Sequence, residues 1–268
     1  MRRLAILAAC AAVALTLAGC SNDTPRTVSG GSARSAPAAT ELTVFAASSL
    51  TAGFEALATD FEAAHPGVTV NFNFGSSDGL AAQIKSEGGA DVFASASQTW
   101  MDDVSDTVGV TGRVDFVTNE LVVITPPDDP ADVSSLEDLG NDGVQVVLAA
   151  QGVPVGDYAR EALTTAAIDD AVLPNVVSNA EDDAAVVAMI SSGEADAGIV
   201  YVSDIAAQVA PDVRTVDILD DQNVIATYPI AVVEGAAHAE LAQEWVGFVA
   251  TGDGQTRLLD EFGFLPRA

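Results

Sequence analysis

A strand that runs directly into small hydroxyl residues at the start of a helix occurs twice in this sequence, and it constrains the fold more than any other feature. The first N–H groups of a helix have no partner within the helix, so hydroxyl residues there cap the helix or hold an anion. Two such turns that converge predict one oxyanion site. The first copy is residues 42–47 followed by Ser48 and Ser49, and the second is residues 68–74 followed by Gly75, Ser76 and Ser77.

From Glu41 onward, short runs of β-branched residues alternate with helical patterns, which predicts an α/β protein with mostly parallel sheets. Apolar residues recur at helical spacing from Leu50 to Phe61, and Pro66 follows the end of that predicted helix. Three prolines, at positions 126, 127 and 130, predict a lobe boundary after the fourth strand. The predicted strands are residues 42–47, 68–74, 91–96, 120–125, 144–149, 195–201 and 228–233.

The charge balance restricts the partners of this chain. It has 10 Lys and Arg against 39 Asp and Glu, a formal net charge of -29. Such a surface argues against nucleic acid and anionic membranes as partners. An anion site in this chain must therefore work through N–H and O–H donors at short range.

The N-terminus has the pattern of an export signal. Arg2 and Arg3 precede an apolar run that ends in Gly19 and Cys20, and the run is too short to span a bilayer comfortably. It resembles a bacterial lipobox, which implies a signal peptide over residues 1–19, lipid attachment to Cys20, and a flexible tether over residues 20–40. The alternative is an uncleaved N-terminal anchor helix.

Two further turns have the composition of helix starts near a ligand. Residues 152–158 place two glycines and a proline before a helix, so the first amides of that helix would point into a cleft. The helix predicted from Asp182 to Ser191 begins with three acids, which favour a helix N-terminus but repel an anion bound there. Tyr201 ends an apolar run and is either a packing residue or a hydroxyl donor.

Five segments, in this order and spacing, resemble the periplasmic molybdate-binding proteins of ABC importers, and the similarity runs from Leu42 to Phe264. The resemblance implies an α/β, two-lobed type II periplasmic-binding-protein (venus flytrap) fold with the ligand in the interlobe cleft. Lobe 1 is then expected over residues 41–122 plus 230–268, and lobe 2 over residues 123–229. The segments are residues 44–50 (Val-Phe-Ala-Ala-Ser-Ser-Leu), 75–77 (Gly-Ser-Ser), 90–96 (Ala-Asp-Val-Phe-Ala-Ser-Ala), 153–159 (Val-Pro-Val-Gly-Asp-Tyr-Ala) and 193–201 (Gly-Glu-Ala-Asp-Ala-Gly-Ile-Val-Tyr).

By motif match, the resemblance implies oxyanion contacts at five positions. They fall on Ser49 and Ser77 through hydroxyl and amide, on Val155 and Asp183 through backbone N–H, and on Tyr201 through its phenol. The family generally has Ala where Val155 stands, which matters little for an amide donor, and Val where Asp183 stands. Two interpretations of the Asp183 carboxylate stay open: it turns to solvent, which we favour, or it joins the coordination shell of the molybdenum in the anion.

The resemblance also implies a function. The chain is expected to capture molybdate and tungstate as a monomer on the outer face of the cell membrane, held there by the lipid at Cys20. It would deliver the anion to an ABC permease with a cytoplasmic ATPase, with no cofactor, no nucleic acid and no enzymatic activity. A site made of donors accepts a fully deprotonated tetrahedral dianion and rejects a protonated one such as phosphate. Sulfate has the same charge and symmetry as molybdate, so a general sulfate-like oxyanion-binding protein is an alternative.

A serine hydrolase is the competing hypothesis from another class. Gly75, Ser77 and Gly79 satisfy G-x-S-x-G between a strand and a helix, and His238 comes later with acids between them. The pattern consists of small residues and is weakly specific. No His-Gly-Gly oxyanion loop accompanies it, and His238 is expected on a polar surface.

Overall fold

The structure, a computed structural model, describes residues 40–205 and 209–267. The signal peptide, the Cys20 lipidation site and the tether predicted from the sequence lie outside these residues, apart from Thr40. In the described part of the chain, no helix combines the length and the apolar character needed to cross a bilayer.

The described residues form ten strands in two five-stranded sheets, one in each of two lobes. The first sheet has the order β2-β1-β3-β10-β4, and the second has the order β7-β6-β8-β5-β9. The strands are β1 (Thr40–Ala47), β2 (Val68–Gly75), β3 (Val92–Ala94), β4 (Val110–Asn119), β5 (Leu121–Thr125), β6 (Val146–Ala149), β7 (Val176–Ala180), β8 (Ala197–Tyr201), β9 (Arg214–Asp217) and β10 (Ala226–Val233).

The described residues also form eight α-helices, of which six lie between strands and two follow the last strand. The helices α1, α2, α3, α7 and α8 pack in the first lobe, and α4 and α6 pack on the second sheet. The helices are α1 (Thr51–Ala64), α2 (Ser77–Glu87), α3 (Gln98–Thr107), α4 (Pro154–Thr165), α5 (Asp169–Val172), α6 (Asp183–Ser191), α7 (Ala239–Ala250) and α8 (Gly252–Glu261).

The prediction of mostly parallel sheets is wrong, because both sheets are mixed. In the first sheet β1 pairs in parallel with β2 and β3, while β10 is antiparallel to β3 and β4. In the second sheet β6 is parallel to β7 and β8, while β5 is antiparallel to β8 and β9. The antiparallel strands β4, β5, β9 and β10 are those that lead the chain from one lobe to the other. These strands enter each sheet without a crossover helix, and they are therefore antiparallel to the strands beside them.

The chain changes sheets at positions slightly different from the predicted lobe boundaries. Leu121 and Val122, which the prediction assigned to lobe 1, pair in the second sheet, and residues 226–229, assigned to lobe 2, pair in the first. The first change occurs at Asn119 and Glu120, which carry no Gly or Pro signal. Asn223 stabilises this region, because its side chain accepts a hydrogen bond from the Leu121 N–H at 3.0 Å and donates one to the Leu121 carbonyl at 2.9 Å.

An aromatic cluster fixes the first lobe behind the paired-serine turn. Phe54 and Phe61 of α1 lie edge-on to the buried Trp245 of α7, with ring centroids 5.7 and 5.2 Å apart. The apolar residues predicted at helical spacing from Leu50 to Phe61 thus form the face of the helix that packs into the core. This packing holds the beginning of α1, and hence Ser48 and Ser49, at the end of β1.

Candidate functional site

A small pocket lies between the two lobes at the carboxyl ends of β1, β2, β6 and β8. Its volume is about 10 Å³, close to the room that one water molecule needs. All five residues of the predicted site line it, so two lobes and five separate chain segments meet there. The lining residues are Ala47, Ser48, Ser49, Gly75, Ser76, Ser77, Ala96, Val153, Pro154, Val155, Asp183 and Tyr201.

The two serines of the first lobe are buried and already hydrogen-bonded within the protein. Ser77 is the first residue of α2, and its hydroxyl oxygen accepts the Ala96 N–H at 3.0 Å. Ser49 Oγ and the Tyr228 hydroxyl lie 2.9 Å apart and share a hydrogen bond. Tyr228 in turn accepts a hydrogen bond from Asn119 at 3.3 Å. The first lobe therefore presents its hydroxyl groups in fixed positions.

Two helix N-termini at the pocket lack a side-chain cap. Ser76 precedes α2 and Val153 precedes α4, and neither side chain bonds to the first turn of its helix. Pro154 occupies the first position of α4, where its missing N–H is no loss, and Val155 follows at the second. The first turns of α2 and α4 thus direct N–H groups and the positive ends of their dipoles toward the pocket.

Glycines allow the turn before α4 to approach the sheet. Gly152 has φ +92°, in the left-handed region that favours glycine. A Cβ added to Gly156 would lie 2.3 Å from the Ala150 carbonyl oxygen, closer than any side chain tolerates. The Val-Pro-x-Gly motif is therefore the steric condition for bringing the Val155 amide to the pocket.

Tyr201 lines the pocket at the end of β8 and is 1% exposed. Its hydroxyl is buried and has no hydrogen-bond partner among the described residues 40–205 and 209–267. Burial raises the pKa of the Tyr201 phenol well above its usual value, so the group is neutral and carries a proton to donate. An unpaired buried hydroxyl costs free energy unless a ligand accepts its hydrogen bond.

The structure contradicts the favoured interpretation of Asp183, because its side chain does not turn to solvent. Asp183 is the first residue of α6 and is 3% exposed. Its Oδ1 accepts a hydrogen bond from the Ser48 hydroxyl of the opposite lobe, and its Oδ2 accepts none from any N–H or hydroxyl group of the described residues. Asp182, not Asp183, caps the helix by accepting the Ala185 N–H at 2.8 Å. The Asp183 carboxyl group therefore lines the pocket and does not cap its helix.

A second, partly buried acid, Asp204, lies beside Asp183. The two carboxyl groups are within hydrogen-bonding reach of each other, and Asp204 Oδ2 also accepts the Tyr201 N–H at 2.8 Å. Burial, followed by the charge of Asp183, raises the pKa of Asp204 well above its usual value. Burial likewise raises the pKa of Asp183 to about 6. Two carboxyl groups this close cannot both ionise readily, so the pair holds a proton.

Polar contacts across the rim keep the lobes closed. The Trp100 indole N–H of α3 donates to the Gly152 carbonyl at 2.8 Å, and the Tyr158 hydroxyl of α4 lies within hydrogen-bonding reach of Ser97. Together with the contact between Ser48 and Asp183, they join both faces of the cleft. A ligand in the pocket would be enclosed by the same contacts.

Sequence reasoning missed several residues of this site. Asp204 stands three positions after Tyr201 and accepts its N–H, which is the spacing of a capping box and could have been recognised. The sequence indicates Ser48 as part of the paired-serine turn but does not predict its hydrogen bond to Asp183. No local pattern marks Tyr228, Asn119 or Trp100, because their roles depend on contacts between distant segments.

The hydrolase hypothesis finds no triad in the described residues. Ser77 Oγ accepts a backbone N–H from Ala96, whereas His238 lines a different surface pocket with Leu241 and Glu244. The backbone N–H of His238 donates to Asp91 Oδ1 at 3.1 Å, and the Asp91 Oδ2 accepts the Thr43 N–H. The Ala-Asp-Val-Phe segment therefore braces strands rather than contributing a catalytic acid.

Comparison with known proteins matches this chain to solute-binding proteins by sequence and by structure. Residues 42–265 match the bacterial extracellular solute-binding protein family. The chain is 35% identical to the molybdate-binding protein ModA of Mycobacterium tuberculosis over 251 residues, 92% of each chain. The substrate-binding domain of a putative molybdenum ABC transporter from Clostridium difficile is 28% identical, with a TM-score of 0.65 over 85% of this chain and 100% of that one. The periplasmic molybdate-binding protein of Azotobacter vinelandii, 20% identical, superposes with a TM-score of 0.72 over 85% of this chain and 100% of that one, which shows the two-lobed fold.

Proposed function

This chain belongs to the bacterial extracellular solute-binding protein family, and from that premise we propose that it captures molybdate, and tungstate nearly as well, for delivery to an ABC permease. The proposal is supported by its 35% identity to a molybdate-binding relative over 92% of both chains. One observation carries it most directly. The five residues expected to contact the anion come from five segments and two lobes, yet all line one pocket.

The chemistry of the pocket favours a tetrahedral oxyanion. Its donors are the hydroxyl groups of Ser49, Ser77 and Tyr201 and the N–H groups at the starts of α2 and α4. No Lys, Arg or His is among the described residues that line it. Neutral dipoles held in a dry pocket bind an anion strongly without long-range attraction, which suits a protein of net charge -29.

Binding requires the lobes to part. A tetrahedral oxyanion needs more room than about 10 Å³, so the closed pocket must open to admit it. The lobes are joined at the rim by single polar contacts, such as that between Trp100 and Gly152, and at the other end by the strands that cross between sheets. We expect the crossing strands to act as the hinge and the rim contacts to break and re-form.

The partners follow from the same proposal. A permease with a cytoplasmic ATPase would receive the anion, and lipid at Cys20 would hold the protein at the outer face of the membrane as a monomer. Mass spectrometry of the protein from membranes tests the anchor. Lipid attachment to Cys20 adds the mass of the acyl chains, and cleavage before Cys20 removes residues 1–19. An unmodified chain would contradict it.

Calorimetry with molybdate, tungstate, sulfate and phosphate tests the ligand. We expect one molybdate or tungstate per chain and far weaker binding of sulfate and phosphate. A His238→Ala variant serves as the control and should bind molybdate like the wild type. Equal affinity for sulfate would overturn the molybdate assignment and favour a general oxyanion-binding protein instead.

A further inference from the structure

The pocket contains one group that does not fit a site made only of donors. Asp183 lines it, is 3% exposed, and has one carboxyl oxygen without an N–H or O–H partner. An ionised carboxylate beside a dianion would repel it, and no cationic side chain among the described lining residues offsets that charge. A proton on Asp183 removes the conflict, because a neutral carboxylic acid donates a hydrogen bond.

Asp204 connects this buried acid to solvent. Asp204 lines a groove of about 720 Å³ behind the pocket, together with Glu55 of α1 and Val187 of α6, while Asp183 lines the pocket itself. The two carboxyl groups are within hydrogen-bonding reach of each other. A proton that enters from the groove therefore reaches the pocket through a single pair of acids.

Four titratable groups surround Asp183, and of these only Asp204 pairs with its carboxyl group. Asp182 lies on its own helix, Tyr201 at the end of β8, Asp204 on the turn after β8, and Tyr228 on β10. Both phenols are protonated, because burial raises the pKa of each well above its usual value. The Ser48–Leu50 turn and strands β5, β6 and β7, which also pack against α6, carry no titratable side chains.

We propose that Asp183 and the bound oxyanion share one proton, taken up from solvent through Asp204 when the cleft closes. This inference rests on the proposed function and deepens it. The charges balance: a molybdate dianion, an acid pair with one negative charge and one proton from the buffer give a complex with a charge of minus two. The anion is held by hydrogen bonds to its oxygens, one of them from the Asp183 carboxyl group.

Phosphate behaves differently under this arrangement. A hydrogen phosphate dianion brings its own proton, which Asp183 can accept as a carboxylate, so its binding takes up no proton. The pocket therefore selects against phosphate by size and shape rather than by the lack of an acceptor. Under this proposal Asp183 is a hydrogen-bond acceptor in the pocket, so the expectation that a donor-only site rejects protonated anions does not hold.

Calorimetry of molybdate binding in buffers with different ionisation enthalpies counts the protons taken up. At neutral pH, we expect wild-type protein to take up close to one proton per molybdate. By linkage, affinity then rises by up to about tenfold for each unit that the pH falls toward 6. Molybdate binding without proton uptake between pH 6 and 8.5 would overturn this inference, whereas absence of molybdate binding would overturn the proposed function.

Three variants locate the proton. Asp183→Asn should bind molybdate with no proton uptake and little pH dependence. Asp204→Asn leaves an amide that donates to the Asp183 carboxylate, so uptake should move to lower pH. The matched control is Glu181→Gln, an exposed acid just before α6, which should keep the wild-type proton count. Unchanged uptake in Asp183→Asn would refute the assignment, and an Asp204→Asn profile identical to wild type would refute the route.

Two further measurements keep the test decisive. Thermal unfolding without ligand reports whether the variants fold. Because burial raises the pKa of Asp183 to about 6 in the folded state, wild-type stability falls as pH rises through about 6. In Asp183→Asn this fall should be smaller, since only the contribution of Asp204 remains. X-ray absorption of bound molybdenum gives an independent check. A tetrahedral oxygen shell is expected, and additional longer Mo–O distances would identify an ionised Asp183 as a ligand and overturn the shared proton.

Discussion

The two lobes contribute unlike halves to one pocket. On the first lobe, Ser49 is hydrogen-bonded to Tyr228, and Ser77 accepts a hydrogen bond from the Ala96 N–H. On the second lobe, the Tyr201 hydroxyl is buried without a hydrogen-bond partner among the residues that the structure describes. One half is satisfied by its own protein, and the other is not.

This difference separates the tasks of the two halves. A hydroxyl that accepts a hydrogen bond from the protein is held in place and still has its proton to donate, so the first lobe is preorganised. An unpaired buried hydroxyl is costly in the closed protein and gains a partner when an anion arrives. We therefore expect first-lobe changes to affect both folding and binding, and second-lobe hydroxyl changes to affect binding alone.

The largest effect is expected from Tyr201→Phe. It removes a donor that has no other partner, so molybdate affinity should fall by about ten- to hundredfold, or roughly 1.5 to 3 kcal/mol, without loss of unfolding free energy. Calorimetry and denaturant unfolding measure the two quantities. Tyr228→Phe is the matched control, since its hydroxyl bonds to Ser49 and Asn119, and its loss should lower stability. Wild-type affinity in Tyr201→Phe would mean that the phenol does not face the anion.

An intermediate effect is expected from Ser77→Ala. The change removes an anion donor and also the acceptor of the Ala96 N–H, so affinity should fall about tenfold and unfolding free energy by about 1 kcal/mol. Ser95→Ala is the control, because Ser95 is buried and donates to the Ser97 carbonyl at 2.8 Å but does not line the pocket. It should lose stability and keep its affinity. A Ser77→Ala protein that loses affinity but no stability would remove the distinction between the lobes.

The smallest effect is expected from Trp100→Phe, which acts on closure rather than on the pocket. Loss of the hydrogen bond to the Gly152 carbonyl should weaken binding by about two- to tenfold, mainly through faster dissociation. Stopped-flow release of molybdate measures that rate. Gln255→Ala is the control, because Gln255 donates a side-chain hydrogen bond to the Phe116 carbonyl at 2.6 Å within the first lobe and does not bridge the cleft. It should release molybdate at the wild-type rate. Equal dissociation rates in wild type and Trp100→Phe would show that this rim contact does not hold the lobes closed.

Local patterns predicted much of the first lobe and of the pocket. The strand-to-serine turns, the apolar face of α1 and the Val-Pro-x-Gly turn all lie where the sequence placed them. Strands β4, β7 and β9 were missed. Their sequences are short or interrupted by polar residues, as in β4 with Arg113 and Asp115, and they become strands because neighbouring strands complete their hydrogen bonds.

The sequence by itself indicated the two-lobed fold and five residues that line the pocket, through its resemblance to the molybdate-binding proteins, because the motifs that carry this resemblance consist of adjacent residues. Only the tertiary structure decided the state of Asp183. Its burial, its contact with Ser48 and its pairing with Asp204 join residues far apart in the chain, and α6 and the turn after β8 must pack together before the acids meet. A carboxyl group that local pattern assigns to solvent thus becomes a buried acid, since packing rather than propensity sets its surroundings.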